Sequence, residues 1–368
     1  MNEEQQRLEK YLNASTRQLV WWRYKKHTLA MVGLAFVVGL YLAALFCEVL
    51  APYDKDSRFF DSVYSPPSQV RIFDKDGAIH RPFVYETILD IDMETQKMSY
   101  QENTDTMYPI KFFVRGDHYE FWGLWRSDVH LFGVDKPARL FVFGTDRMGR
   151  DLFSRCFYGS RISLSIGMLG VFMSLILGVT LGGVSGYMGG WADSVIQRVI
   201  EVIRCFPSIP LWMGLSASMP PHWPGLKVYF VITIILSLIG WTDLARMVRG
   251  KLIALREEEF VLAARFAGAG HLRIIFRHLL PSFTSHIIVT VTLAIPGMVL
   301  GETALSFLGI GLRPPVTSLG VLLKEAQNVT TIALYPWLLI PVLFVIGIVL
   351  SFNFVGDGLR DAVDPYSR

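Results

Sequence analysis

Six stretches of mostly apolar residues, each long enough to cross a membrane, interrupt this chain, and nothing constrains its fold more. A hydrocarbon core about 30 Å thick is crossed by a helix of about 20 apolar residues. Leu29–Leu50 is the clearest, uncharged until Glu48 and preceded by Arg23, Lys25 and Lys26. The others run from Ile162 to about Val184, Val199 to Met219, Val228 to Leu244, His286 to Ile310 and Pro336 to Val355. The third carries Arg204, Pro207 and Pro210, which a membrane helix tolerates where neighbours re-satisfy the freed carbonyls. Composition agrees: 52% of the 368 residues are hydrophobic and only 18% charged, against about 25% charged in a soluble domain. A net charge of +3 without a basic run away from the membrane flanks gives no reason to expect nucleic acid. Cys47, Cys156 and Cys205 have no paired spacing, so neither a disulfide framework nor a zinc site is expected. The polar stretch Asn2–Thr16, with Arg7 and Lys10, does not read as a cleavable signal peptide.

Lys and Arg in the short loops set the orientation. The segment 246–285 carries Arg246, Arg249, Lys251, Arg256, Arg265, Arg273 and Arg277, whereas 220–227 holds only Lys227. The expected topology therefore has both termini in the cytoplasm of a multi-pass membrane protein. It runs as a cytoplasmic segment 1–28, a first span 29–50 and an extracytoplasmic region 51–155. A transmembrane core 156–356 then encloses the cytoplasmic loop 246–285, and a cytoplasmic tail 357–368 follows. Within 51–155, Val70–Phe73 and Lys111–Val114 alternate as strands do, with turns expected at Asp74–Gly77 and Arg115–Asp117. The fold class is thus an all-α polytopic membrane protein of six transmembrane helices with an inserted β-rich extracytoplasmic domain. That domain is either a stabilising lid or a docking surface.

The stretch from Glu257 to Pro281 reads EEEFVLAARFAGAGHLRIIFRHLLP. Ala263, Ala264 and Ala267 are small and at helical spacing, which allows another backbone close. Gly268 and Gly270 supply a joint, since glycine accepts positive φ. Beyond it Leu272, Ile275, Phe276 and Leu279 fall on one helical stripe, and Pro281 ends the segment. A short apolar-faced helix held outside the membrane by a glycine joint can fit a groove on a partner; the alternative is an interfacial helix lying on lipid.

The pattern A-A-x3-G followed by L-P, carried by Ala263, Ala264, Gly268, Leu280 and Pro281, resembles the EAA loop of ABC importer permeases. Two positions depart: Leu262 stands where the family has Glu, and His278 where it has Ile. The resemblance implies that Ala263, Ala264, Gly268, Ala269, Gly270, His271, Leu272, Arg273, Ile275, Phe276 and Pro281 couple to an ATP-binding subunit. Phe143–Asp146 with Gly149–Arg155 and Tyr158–Leu164, Gly186–Gly190 with Asp193, Glu302–Gly309 and Gly356–Pro365 resemble the oligopeptide/dipeptide permeases. The early helix and the G-D-G-L-R-D ending resemble the C-type partner of the heterodimer. A microcin- and peptide-transporting sub-branch shares a long segment at 51–143. The resemblance implies a type I ABC importer fold and half of a translocation pathway for oligopeptides or dipeptides. Its partners would be a sister permease, ABC ATP-binding subunits, an extracytoplasmic substrate-binding protein and membrane lipid. No cofactor would be bound by this chain, with ATP and magnesium on the ATPase subunits. Oligosaccharides, opines or nickel are alternative cargoes.

Independently of the family, Asp193 follows a glycine-rich turn as an N-cap would, and Arg198, Glu201 and Arg204 are spaced to pair on one face. Glu302 is the one acidic residue in the fifth span, with Ser306 one turn on; both are candidates for the translocation pathway, Glu302 equally for a structural carboxyl. No phosphate-binding loop, HExxH or nucleophile constellation is present, so the chain is expected to be non-catalytic. An ion-coupled secondary transporter is the competing class, although no duplicated halves appear.

Overall fold

The computed structural model describes residues 13–74, 77–91 and 98–364. Arg7 and Lys10, the Lys75–Asp76 pair of the Asp74–Gly77 turn, and the tail from Pro365 onward lie outside the described residues. The elements run α1 (Thr16–Lys26), α2 (Thr28–Leu45), α3 (Cys47–Leu50), β1 (Arg71–Phe73), β2 (Ile79–Ile91), β3 (Met98–Pro109), β4 (Lys111–Phe121) and β5 (Trp125–Gly133). They continue as α4 (Leu152–Met188), α5 (Gly190–Cys205), α6 (Ser208–Ala217), α7 (Gly225–Leu255), α8 (Glu259–Phe266) and α9 (His271–Arg273). A π-helical turn (Ile274–Leu279) leads into α10 (Leu280–Ser282), α11 (Thr284–Phe307), α12 (Leu319–Glu325) and α13 (Val329–Leu334). A 3-10 turn (Pro336–Leu339) opens α14 (Ile340–Val363).

Among the described residues, five helices are long and apolar enough to cross a membrane, or six spans if α5 and α6 count as one. The run from Val199 to Met219 is not one straight helix. It breaks between Cys205 and Ser208, and the two pieces lie at 85°. Pro207 lacks an N–H and disfavours helical backbone in the residue before it, and Phe206 is extended at φ −90° and ψ 134°. The first apolar run also breaks: α2 stops at Leu45, Phe46 leaves helical geometry, and Cys47–Leu50 forms a separate turn.

Between these helices, β1, β2 and β3 form one antiparallel sheet and β4 and β5 another. Arg115–Asp117 is not the expected turn, because it lies inside β4. The ladder slips there, between Arg115 and Tyr119. Gly116 faces the His130 ring so closely that a Cβ would sit 2.8 Å from it, and His130 Nε2 contacts the Asp117 carbonyl at 2.9 Å. A side chain filling the gap lets the strand bulge rather than reverse.

The chain divides into two compact units: residues 1–38, 166–302 and 346–368 in the first, 39–165 and 303–345 in the second. In the first unit, α4 meets α7 through Gly178, Gly182 and Gly186. A Cβ on these would lie 2.8 Å from Leu244 Cβ, 2.5 Å from the Ala245 carbonyl and 2.8 Å from the Arg249 carbonyl. Small residues four apart let two backbones touch where lipid gives helices no hydrophobic reason to associate.

The second unit holds a buried ion cluster. Arg150 Nε donates to Asp146 at 2.7 Å and Arg150 Nη2 to Glu325 at 2.9 Å. Arg155, also buried, bonds Asp146 and reaches Glu325 at 3.2 Å. Beside it Asp151 accepts from the Ser154 amide at 2.8 Å and hydroxyl at 2.6 Å, capping the start of α4. Burial pushes the Asp151 carboxyl up to about 7 against these bonds.

Candidate functional site

The loop from Glu257 to Pro281 is built on the end of α7. The sequence VLAARFAGAG closes α8 with a Schellman motif: the Ala269 amide donates to the Ala264 carbonyl at 3.0 Å and the Gly268 amide to Arg265 at 2.9 Å. That motif requires a left-handed residue after the cap, and Gly268 has φ +75°. Gly270 does not share this role. It precedes α9 in extended backbone at φ −69°.

Beyond the joint the expected single amphipathic stripe is replaced by two faces. Residues 274–279 wind as a π-helix, which adds a residue to the turn and rotates the sequence relative to a 3.6-residue spacing. Ile274, Ile275 and Leu279 turn inward with Val261, Ala264 and Phe283 against Leu244, Val248, Leu252 and Tyr187. Leu272 and Phe276 point out, as do Phe260, Leu262 and Phe266, the last 90% exposed. Of the small residues, Ala264 is buried while Ala263 and Ala267 are exposed, as are Arg273 and Pro281. Pro281 does not end the segment but sits in α10, which leads into α11.

Aromatic and ionic contacts seat the loop. Arg265 Nε donates to the Tyr187 hydroxyl at 3.1 Å, with its guanidinium 5.1 Å from the ring centroid. His271 packs edge-on against the same ring at 5.5 Å. With Met188 and Ala269 these side chains line an open cleft of about 580 Å³. Nearby, Arg249 holds Asp193 by two bonds of 2.6 and 2.7 Å, and Ser185 donates to the same carboxylate. Asp193 is therefore not an N-cap. Gly189 occupies that position at φ 66°, and Asp193 lies in the first turn of α5. The helical trio also divides: Arg198 pairs with Glu201 at 2.8 Å, whereas Arg204 pairs with Asp243. Tyr187 and Arg249 escaped the sequence analysis as seat residues, although Tyr187 stands in the quoted glycine-rich motif and Arg249 in the basic loop.

The pathway candidates lie in α11. Glu302 and Ser306 are both fully buried. Ser306 Oγ accepts from the Leu312 amide at 3.0 Å, tying the turn after the helix. A separate cavity of about 270 Å³ in the first unit is lined by Ser174, Ser208, Trp212, Asp243, Thr290 and Met298 among others.

Residues 15–67 match the N-terminal transmembrane domain of oligopeptide transport permease C. The oligopeptide transport system permease protein OppC of Bacillus subtilis is 37% identical over 244 residues, covering 66% of this chain and 77% of that protein. The dipeptide transport system permease protein DppC of Alkalihalophilus pseudofirmus is 41% identical over 230 residues, covering 62% and 73%. OppC of Haemophilus influenzae is 40% identical over 227 residues, covering 61% and 70%. Among solved structures, a chain of the MetNI methionine ABC transporter in an inward-facing form aligns with a TM-score of 0.44 at 18% identity, covering 56% of this chain and 94% of that chain. Residues 178–368, more than half of the chain, match a single family along its membrane core, and the chain belongs to that family, the inner-membrane components of binding-protein-dependent transport systems.

Proposed function

We propose that this chain is the C-type permease of an ATP-driven importer and forms half of a translocation pathway for oligopeptides or dipeptides. Membership of the binding-protein-dependent family supports a non-catalytic role, with hydrolysis on separate ATP-binding subunits that carry ATP and magnesium. Relatives named for oligopeptide and dipeptide transport support the cargo class. A sister permease would complete the pathway, and an extracytoplasmic binding protein would deliver the cargo.

One observation carries the coupling role: Leu272, Phe276 and Phe266 are exposed on a loop whose other face is locked into the core. An apolar face of that kind suits a groove on a partner. Ala263, Ala264, Gly268 and Ala269 would supply the joint, Ile275 the buried anchor, and Leu272 and Phe276 the contact. The basic residues of 246–285 favour a cytoplasmic loop, hence cytoplasmic termini and an extracytoplasmic 51–155 with its five strands. The type I importer fold follows from the same reading. Glu302, buried within α11, fits the structural carboxyl better than an open pathway. Uptake of labelled peptide into vesicles holding the assembled complex tests the whole. Uptake should require enclosed ATP and the binding protein, and uptake driven by an ion gradient alone would refute it.

A further inference from the structure

We propose that the tip of the β4–β5 hairpin is a membrane anchor that sets Trp122, Leu124 and Trp125 into the headgroup–acyl boundary of the bilayer beside the first span. The hairpin lies along the chain that leaves α2 and touches it at several points. Ser57 and the Asp54 amide donate to Asp117 at 2.7 and 3.3 Å. Closer to the span, the Ala51 carbonyl contacts His130. At the tip, the Phe121 ring stacks on Phe46 with centroids 5.9 Å apart, and Trp122 Nε1 donates to the Leu45 carbonyl at 3.1 Å. From His130 to the closed end of the hairpin the partner moves back from Ala51 to Phe46 and Leu45 of the apolar run, so the tip points at the membrane.

The depth is marked by charge. The first span stays uncharged until Glu48, and Arg161 holds that carboxylate at 2.7 Å while donating to the Ala44 carbonyl at 2.8 Å. The Arg161 guanidinium lies 4.6 Å from the Trp122 ring centroid. Trp122 thus sits where the last carbonyls of the span end and the first ion pair begins, the level at which tryptophan concentrates in membrane proteins.

The tip presents apolar surface beyond that point. Leu124 is 80% exposed, Trp125 75% and Trp122 51%, and the adjoining flank of the span exposes Leu42, Leu45 and Phe46. That surface is continuous with the flank a spanning helix turns to lipid, which favours lipid as the occupant. The backbone adds an independent argument. The Leu124 amide donates to the Phe121 carbonyl at 2.9 Å across a turn with φ +51° at Trp122 and +69° at Gly123. Asn, Asp or Gly suit such a position, and a bulky residue is held there against its preference. The indole, bonded to the span and aimed outward with Leu124, supplies the reason.

Site-directed spin labelling of the full-length chain in phosphatidylcholine–phosphatidylglycerol vesicles tests this. Cys47 and Cys156 are buried, so Cys205→Ser gives the background for Leu124→Cys, Trp125→Cys and Lys111→Cys. Lys111 pairs with Gly133 at the open end of the hairpin, about 30 Å from the tip at the rise of a strand. The expected result is loss of broadening by a water-soluble nickel chelate, with retained broadening by oxygen, at positions 124 and 125 but not at 111. Nickel broadening at both tip positions equal to that at 111 overturns the anchor. Labels immobilised and shielded from both reagents also overturn it, since the tip would then rest on protein. Alkaline extraction of the same vesicles reads the spanning helices separately from the tip.

Discussion

Arg249 of α7 grips Asp193 of α5 with two nearly parallel hydrogen bonds of 2.6 and 2.7 Å. The pair fixes the start of α5 to the helix whose end carries the loop from Glu257 to Pro281. Fork-to-carboxylate geometry needs guanidinium, and a lysine ammonium reproduces the charge without the second bond. Arg249→Leu should cost about 2 kcal/mol of stability, and Arg249→Lys should recover only part of it. Thermal unfolding in detergent measures both; full recovery by lysine would mean that the bidentate geometry contributes nothing.

Gly268 offers a cleaner separation of folding from coupling. A Cβ there would meet no neighbour within 4 Å, so substitution acts through backbone conformation alone. The left-handed position costs a non-glycine residue about 1–2 kcal/mol, and a β-branched residue more. Gly268→Val should leave membrane abundance near normal while transport falls sharply, with Gly268→Ala between. Wild-type uptake by the valine variant would remove the joint from coupling.

The ion cluster predicts a large effect on stability. Removing Glu325 leaves the buried Arg155 and Arg150 with one carboxylate, Asp146, between them. Breaking a buried ion pair in this way costs about 3–5 kcal/mol. Glu325→Ala should lower the unfolding temperature markedly, and an unchanged midpoint would show the cluster to be solvated.

Asp151 gives a pH signature. Its folded carboxyl titrates near 7 because burial disfavours the charge, well above the ordinary value of about 3.9. Ionisation therefore opposes folding: the Asp151 contribution is most favourable below the unfolded value and is lost as pH rises toward 7. Asp151→Asn, which cannot ionise, should gain stability relative to wild type progressively from about pH 4 to 7. The difference in unfolding midpoint between the two proteins across that range measures this, and a constant difference would contradict it.

The sequence made the spans legible because hydrophobicity over twenty residues is a property of the run itself. Boundaries were harder to read, since a helix continues past its apolar stretch wherever backbone bonds persist, as at Leu152 and Leu255. The break at Pro207 was written in the residue, but its 85° bend depends on packing. In the loop from Glu257 to Pro281 the glycine joint was legible from Gly268, whereas the π-helical winding that sends Ile275 inward and Leu272 outward was not. A 3.6-residue template assigns both to one stripe. Tyr187, Arg249 and Glu325 act through partners distant in sequence, and a single chain carries no local sign of such pairings.

The proposed contact with the ATP-binding subunits lies on the outward face of the 257–281 loop. Leu272 and Phe276 are exposed and outside the buried cluster, so Leu272→Asp with Phe276→Asp should leave insertion and thermal stability intact. Co-purification of the ATP-binding subunits with the tagged, fully assembled permease is the direct measurement. The account predicts that the double variant reaches the membrane at wild-type abundance but retains none of the ATP-binding subunits. Recovery of those subunits in wild-type amount, with uptake unchanged, would contradict it.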